Sequence, residues 1–514
     1  MKKSITKGTI DKIVKLNDLS KIINNLKSKN KSVVHCHGVF DLVHPGHIKH
    51  LESAKREGDI LVVTITPDKY VNKGPGRPIF NEQLRAETLA ALQCVDYVSI
   101  NKWPIAIETI KLLKPNIYVK GKEYANQNND LTGKIVDEEQ AIVDVGGRIH
   151  FTDDITFSSS SLINSNFSIY PVETQEWLKE FRSKYSIEDI LSYLNKASDI
   201  KALVIGEAIV DEYVFCDGLG KSNKDPILAF KYHFTEKYAG GSLAVANHLA
   251  GFCSNVGILA LLGDTEREEE FIKSKLLSNV HPYLLNQNNA PTIHKRRFVD
   301  THTNARMFEI YIMDDLPIRH DNEDRLLKTL SKIVNNYDLI IVTDYGHGMM
   351  TPSVIKLLSK SKPFLAVNTQ TNAGNRGFNT ISKYPRADYV CLAGHEVALE
   401  TRMRHAGFKD LMLEVSTRIK CSNFTVTHGK DGTLHYSPKI GFTEVPALAS
   451  KITDRVGAGD AVLAITSLLA MQKASWDIVG FVGNVAGAEM VAELGNRISL
   501  NKVNLSKHIT ALLK

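Results

Sequence analysis

The sequence predicts two unlike α/β domains in series, on three observations. The chain has 514 residues, more than one core of roughly 100–200 residues accounts for. Hydrophobic residues at 43% and charged ones at 23% are ordinary globular values and exclude a largely disordered chain. Apolar runs alternate with helical patterns twice, over residues 32–165 and again from residue 202 onward. Such alternation builds parallel sheets covered on both faces.

In chain order, Leu19, Ile22, Ile23 and Leu26 place an amphipathic helix at 18–28. Strands follow at 32–36, 60–65, 97–100 and 117–119, with helices at 48–56, 82–92 and 105–113. The first domain spans 1–165. Residues 166–199, with Trp177, Phe181, Ile187, Ile190, Leu191 and Leu194, read as a helical connector. The second domain spans 200–514, with strands expected at 339–343, 364–367, 389–392 and 424–427.

A net charge of +6 without any dense basic block suits small anionic substrates and argues against nucleic acid. The sequence has no run of about 18 apolar residues, which argues against a membrane span. The basic N-terminus carries no apolar segment of the signal-peptide kind. Six scattered cysteines without a C-x-x-C pair form neither a disulfide framework nor a zinc site and suit a reducing cytoplasm.

After the first strand comes Gly38-Val39-Phe40-Asp41, then His44-Pro45-Gly46-His47 at a helix start. Glycine lets backbone approach a phosphate, and free N–H groups at a helix N-terminus favour an anion. Two histidines three apart there can both face one phosphate and donate to charge developing on it; the plainer alternative is a capped helix beside a core. A second such feature is Asp454-Arg455-Val456-Gly457-Ala458-Gly459-Asp460 before an apolar helix. Gly457 and Gly459 offer an anion hole, beside which Asp460 could take a hydroxyl proton. Here the alternative is a glycine turn with a capping aspartate. No G-x-G-x-x-G follows the first strand of either domain, which disfavours a dinucleotide oxidoreductase.

The first motif resembles the nucleotidyltransferase superfamily of cytidylyltransferases and heptose-activating adenylyltransferases. The likeness continues through Lys73-Gly74-Pro75-Gly76-Arg77-Pro78, Arg85, Val119-Lys120-Gly121 and Ser158-Ser159-Ser160. It implies that His44 and His47 act on the nucleotide phosphates. It further implies that Gly38, Val39, Phe40, Asp41, Lys73, Arg77, Lys120, Gly121 and Ser158–Ser160 bind the nucleotide, with ATP favoured over CTP.

The second motif resembles the ribokinase-like (PfkB) sugar kinases, which implies a ribokinase-like domain with a small β lid. Asp211, the di-glycine Gly240-Gly241, Asn247 and Asp344 would meet the sugar. Gly429, Gly432, Gly457, Ala458 and Gly459 would bind nucleotide, Asp460 would be the base, and Glu396 would act indirectly on a metal. Together the halves resemble bifunctional heptose kinase/adenylyltransferases with the domain order reversed. The resemblance implies Mg²⁺, ATP or CTP, a sugar or sugar phosphate, a nucleotide-activated sugar as product, and a homodimer through the lid, here 213–238. Ala244, Asn368 and Ala393 depart from the kinase pattern, so the alternative is an active nucleotidyltransferase fused to a retired binding or dimerisation module.

Overall fold

The computed structural model describes residues 8–124, 134–152, 170–314, 316–421 and 423–514. The chain forms two compact units: Met1–Ile169 with Ser506–Lys514, and Tyr170–Leu505.

Unit 1 is a five-stranded parallel sheet of β1 (Val33–Gly38), β2 (Ile60–Ile65), β3 (Tyr97–Ile100), β4 (Ile117–Gly121) and β5 (Arg148–Thr152), in spatial order 3-2-1-4-5. Alternate residues of its strands face opposite ways, so β1, β2 and β3 each feed two apolar layers. Val34, Cys36, Leu61, Val63 and Ile65 pack with Leu51, Ala54, Ala86 and Leu89. Val33, Val62 and Tyr97 pack with Leu16, Leu19 and Ile23 of helix Leu16–Ser28. Continuous apolar strands of this kind are what a doubly covered sheet requires.

Unit 2 holds a nine-stranded sheet. In spatial order its strands are Val280–Pro291, Asn255–Thr265, Lys201–Gly206, Leu339–Asp344, Phe364–Thr369, Tyr389–Ala393, Phe424–Thr427, Thr433–Ser437 and Gly441–Val445. Only the last two pairings are antiparallel. A separate four-stranded sheet, Arg306–Ile312, Ile293–Asp300, Ala208–Lys221 and Leu228–Gly241, is the expected small β lid.

The connector expected at 166–199 is helical, over Val172–Lys184 and Ile187–Lys196, but it is part of unit 2. Phe181 packs on Phe481 with ring centroids 4.5 Å apart, and the Tyr185 hydroxyl donates to Asp477 at 3.0 Å. An apolar helix face of that length is buried where it can be, so it does not stand free. The second domain also ends short of expectation, because Ser506–Lys514 belongs to unit 1. No helix among the described residues is long and apolar enough to cross a membrane.

Candidate active sites

In unit 1 the strand order reverses at β1, so the crevice beyond the carboxyl ends of β1 and β4 is the switch point where ligands bind in open α/β sheets. The chain leaves β1 at Gly38, and Phe40 takes φ +49°. A Cβ on Gly38 would lie 3.0 Å from the Phe40 ring, so this turn favours glycine. Asp41 is buried and ties this loop to the next: its Oδ1 accepts the N–H groups of Ile79 at 2.7 Å and Phe80 at 3.2 Å. Arg77 reaches its other oxygen at 3.5 Å.

His44 caps helix Pro45–Arg56, its Nδ1 accepting the Gly46 N–H at 3.1 Å. With that nitrogen an acceptor, the neutral ring carries its hydrogen on Nε2. The His44 and His47 rings stack with centroids 4.0 Å apart, as their spacing anticipated. Burial holds His44 below its usual range; burial, then the neighbouring His44 and Lys73, takes His47 down to about 3. Lys73 is lowered to about 8, chiefly by burial and then by Arg77, Lys514 and Arg85, although Asp41 opposes this. The loop thus gathers cations that lower one another, a setting that an added anion would relieve.

Two unit 1 expectations change. Lys120 is not left for a phosphate: its ammonium pairs with Glu138 at 2.9 Å, and the Tyr118 hydroxyl donates to the same oxygen at 3.0 Å. Burial lowers its pKa, but Tyr118 and Glu138 outweigh this and hold the charge. Gly121 ends β4 beside it, while Ser158, Ser159 and Ser160 lie outside the described residues. Conversely, Arg85 has a larger part than its place in the motif suggested. Buried, it donates to the carbonyls of Val39 at 2.5 Å, Thr66 at 2.8 Å and Phe80 at 3.0 Å, and to Asp68 at 2.6 Å. It is the clamp that shapes the Gly38–Asp41 turn.

In unit 2 a cavity of about 290 Å³ is lined by Asp211, Gly241, Lys295, Arg297, Glu396 and Asp460, among others. Gly457 takes φ +82° at the cap of helix Ala458–Met471, leaving the first N–H groups of that helix free for an anion. A Cβ on Gly457 would lie 2.1 Å from Asn496 Oδ1, whereas one on Gly459 would meet open space. Asp460, in the first turn, is buried and accepts from the Tyr345 hydroxyl at 3.0 Å and Gln370 Nε2 at 3.1 Å. Burial, with Asp211 nearby, pushes its carboxyl up to about 6 despite both hydrogen bonds. It is oriented, buried and basic enough to accept a proton near neutrality.

Asp211 faces the same cavity, held by Arg297 at 2.5 Å and by Asn496 Nδ2 at 3.2 Å. A Cβ on Gly240 would lie 2.1 Å from Asp211 Oδ2, so Gly240 supports this carboxylate from behind and only Gly241 lines the cavity. Asp344 is not in the lining: the Tyr384 hydroxyl and the Lys383 ammonium each meet it at 2.6 Å. Asn247 is also occupied elsewhere, donating to the Lys275 carbonyl at 2.9 Å and accepting the Leu277 N–H at 3.0 Å. Gly429 and Gly432, at φ +56° and +94°, shape the turn after strand Phe424–Thr427, outside the lining.

Glu396 lines the cavity with its oxygens accepting the Thr371 N–H at 3.1 Å and the Ala393 N–H at 2.8 Å, and burial raises it to about 7. Asn368 donates to the Cys391 carbonyl at 2.7 Å, and its buried Oδ1 has no hydrogen-bond partner among the described residues. That unsatisfied oxygen and Glu396 form a hard-oxygen edge that fits a hydrated divalent cation. Lys295, Arg297 and Arg455 supply positive charge around the cavity. Tyr345, Gln370, Arg297 and Asn496 escaped sequence reasoning because each meets its aspartate across 86 to 285 residues of chain.

Comparison with known proteins agrees with this division. Residues 35–166 match a family model described as cytidylyltransferase-like, and residues 199–503 match that of the pfkB family carbohydrate kinases. The bifunctional protein HldE of Syntrophotalea carbinolica is 38% identical over 139 residues, 27% of each chain. That of Geobacter metallireducens is 38% identical over 168 residues, 32% of each. The chain therefore matches about a third or less of the length of these curated relatives. In fold it is similar to Escherichia coli phosphofructokinase-2 solved in complex with potassium, at a TM-score of 0.50 and 15% identity, over 61% of this chain and 100% of that one. The pfkB match covers more than half of the chain, which belongs to the pfkB carbohydrate kinase family and carries a cytidylyltransferase-like unit ahead of its kinase-like unit.

Proposed function

We propose that the chain catalyses two steps on a sugar: phosphorylation in unit 2 and nucleotidyl transfer in unit 1. The carrying observation is Asp460, a buried carboxylate raised to about 6 at the mouth of a glycine-opened helix. In phosphorylation, Asp460 takes the proton of a sugar hydroxyl as that oxygen attacks the γ-phosphate of ATP and ADP leaves. Asp211 and Gly241 position the sugar. The N–H groups at Gly457–Gly459, with Lys295 and Arg455, receive the phosphate charge. Asn368 and Glu396 would hold a hydrated Mg²⁺, which neutralises phosphate charge when bound.

In unit 1 an oxygen of the sugar phosphate attacks the α-phosphorus of a nucleoside triphosphate, ATP in preference to CTP, and pyrophosphate leaves. His44 and His47 donate hydrogen bonds to the charge developing there, while Lys73 and Arg77 balance the triphosphate. The relatives named bifunctional protein HldE support pairing the two steps in one chain. The test assays the full chain with ATP or CTP across panels of sugars and sugar phosphates. ADP formed with a free sugar and pyrophosphate released with a sugar phosphate are expected; neither product with any compound contradicts the reading.

The lid supports a homodimer. One face of its sheet gathers Phe230, Phe298, Phe308 and Ile310, the Phe298 and Phe308 rings stacking at 4.3 Å while Phe308 and Ile310 remain exposed. An exposed apolar face of this kind favours a second copy. Sedimentation should give a dimer that Phe308→Ser with Ile310→Ser converts to monomer; a wild-type monomer contradicts it.

A further inference from the structure

Unit 2 contains a second and larger cavity, about 450 Å³, which shares no lining residue with the one at Asp460. It lies between the end of lid strand Leu228–Gly241, helix Ser242–Ala250 and residues 496–499. One of its wall residues carries a buried polar atom with no hydrogen-bond partner among the described residues.

His248 is 1% exposed, and its Nδ1 accepts the Leu500 N–H at 3.1 Å. The neutral ring therefore carries its hydrogen on Nε2, and that donor has no partner among the described residues. Asn496, in the same wall, donates through Nδ2 to Asp211 at 3.2 Å, and its Oδ1 lies against Gly457 on the side of the Asp460 cavity. Buried donors are ordinarily paired, so an unpaired one in a cavity wall points to a ligand that accepts from it.

The charges specify that ligand further. Lys237 is matched by Glu212 at 3.2 Å and Glu268 at 2.5 Å, and Arg497 by Glu236 at 2.7 Å. Lys275, also in the wall, has no ion pair among the described residues; its ammonium stands 5.6 Å from the centre of the Phe271 ring. A cation in the same wall as an unused N–H donor selects an oxyanion.

We propose that this cavity binds a small oxyanion, held by Lys275 and His248 Nε2–H. Because Asn496 lines this cavity and holds Asp211, occupancy is felt at the Asp460 cavity. The oxyanion is a phosphate or carboxylate, supplied either by the phosphoryl acceptor itself or by a separate effector.

The test is calorimetric titration of the full chain with glycerol 3-phosphate, with glycerol as the neutral control. Glycerol 3-phosphate binds and glycerol does not. Lys275→Ala and His248→Phe each weaken the binding about tenfold, the order expected for one lost charge-assisted or buried hydrogen bond. His248→Gln, which keeps a donor, preserves it. Lys275 is exposed, so its variant remains informative if His248→Phe does not fold. Added glycerol 3-phosphate shifting the KM for a free sugar supports an effector; a phosphorylated sugar with a lower KM than its free form, abolished by Lys275→Ala, supports an arm of the substrate. No binding to the wild type, or unchanged affinity in Lys275→Ala, overturns the proposal. Binding persists even if neither sugar reaction is found, so its failure is distinct from that of the proposed activities.

Discussion

The two units use one device with opposite titration. Each places a glycine turn and a helix N-terminus beyond the carboxyl ends of parallel strands, where backbone N–H groups await an anion. Around that shared feature the side chains diverge. Unit 1 surrounds it with neutral histidines and a lysine lowered to about 8, whereas unit 2 sets a carboxylate raised to about 6 beside it. Burial is the leading cause in all three groups, and it disfavours whichever charged form the residue has. In the proposed reactions, the same desolvation suits one site to receive negative charge and the other to remove a proton.

The comparison is broken most severely at Asp460. Asp460→Asn keeps the volume and the hydrogen bonds' geometry but cannot take a proton, so sugar phosphorylation falls by about 10²–10⁴. Pyrophosphate release in unit 1 is unchanged in the same preparation. A variant that phosphorylates at the wild-type rate removes Asp460 from the role of base. The reciprocal change is smaller: His44→Ala or His47→Ala slows pyrophosphate release about a hundredfold, the value of one donor to transition-state charge. Phosphorylation is spared, and wild-type release by both variants would contradict the assignment.

What was legible in the sequence was local. His44 to His47 and Gly457 to Asp460 are contiguous motifs whose residues act within one helical turn, and the strands at 60–65 and 97–100 fall where periodicity put them. What was not legible depends on partners far along the chain. Lys120 reads as a phosphate-binding cation until Glu138 is seen to neutralise it, and Asp344 as a sugar ligand until Lys383 and Tyr384 occupy it. Arg85 shows the converse: only the fold brings the carbonyls of Val39, Thr66 and Phe80 to one guanidinium. Sequence spacing reveals which groups are present, whereas satisfaction of their charge is a property of the packed structure.

The central claim, two sites with opposed titration in one chain, is tested most directly by following kcat/KM for both reactions against pH with one preparation. That quantity reports groups of the free enzyme. Phosphorylation should fall as pH drops below about 6, where Asp460 becomes protonated and loses its function as a base. Pyrophosphate release should hold through that range, because His47 stays neutral down to about 3, and should fall above about 8 as Lys73 loses its proton. Two superimposable profiles, or phosphorylation that stays level below the Asp460 transition, would contradict the account.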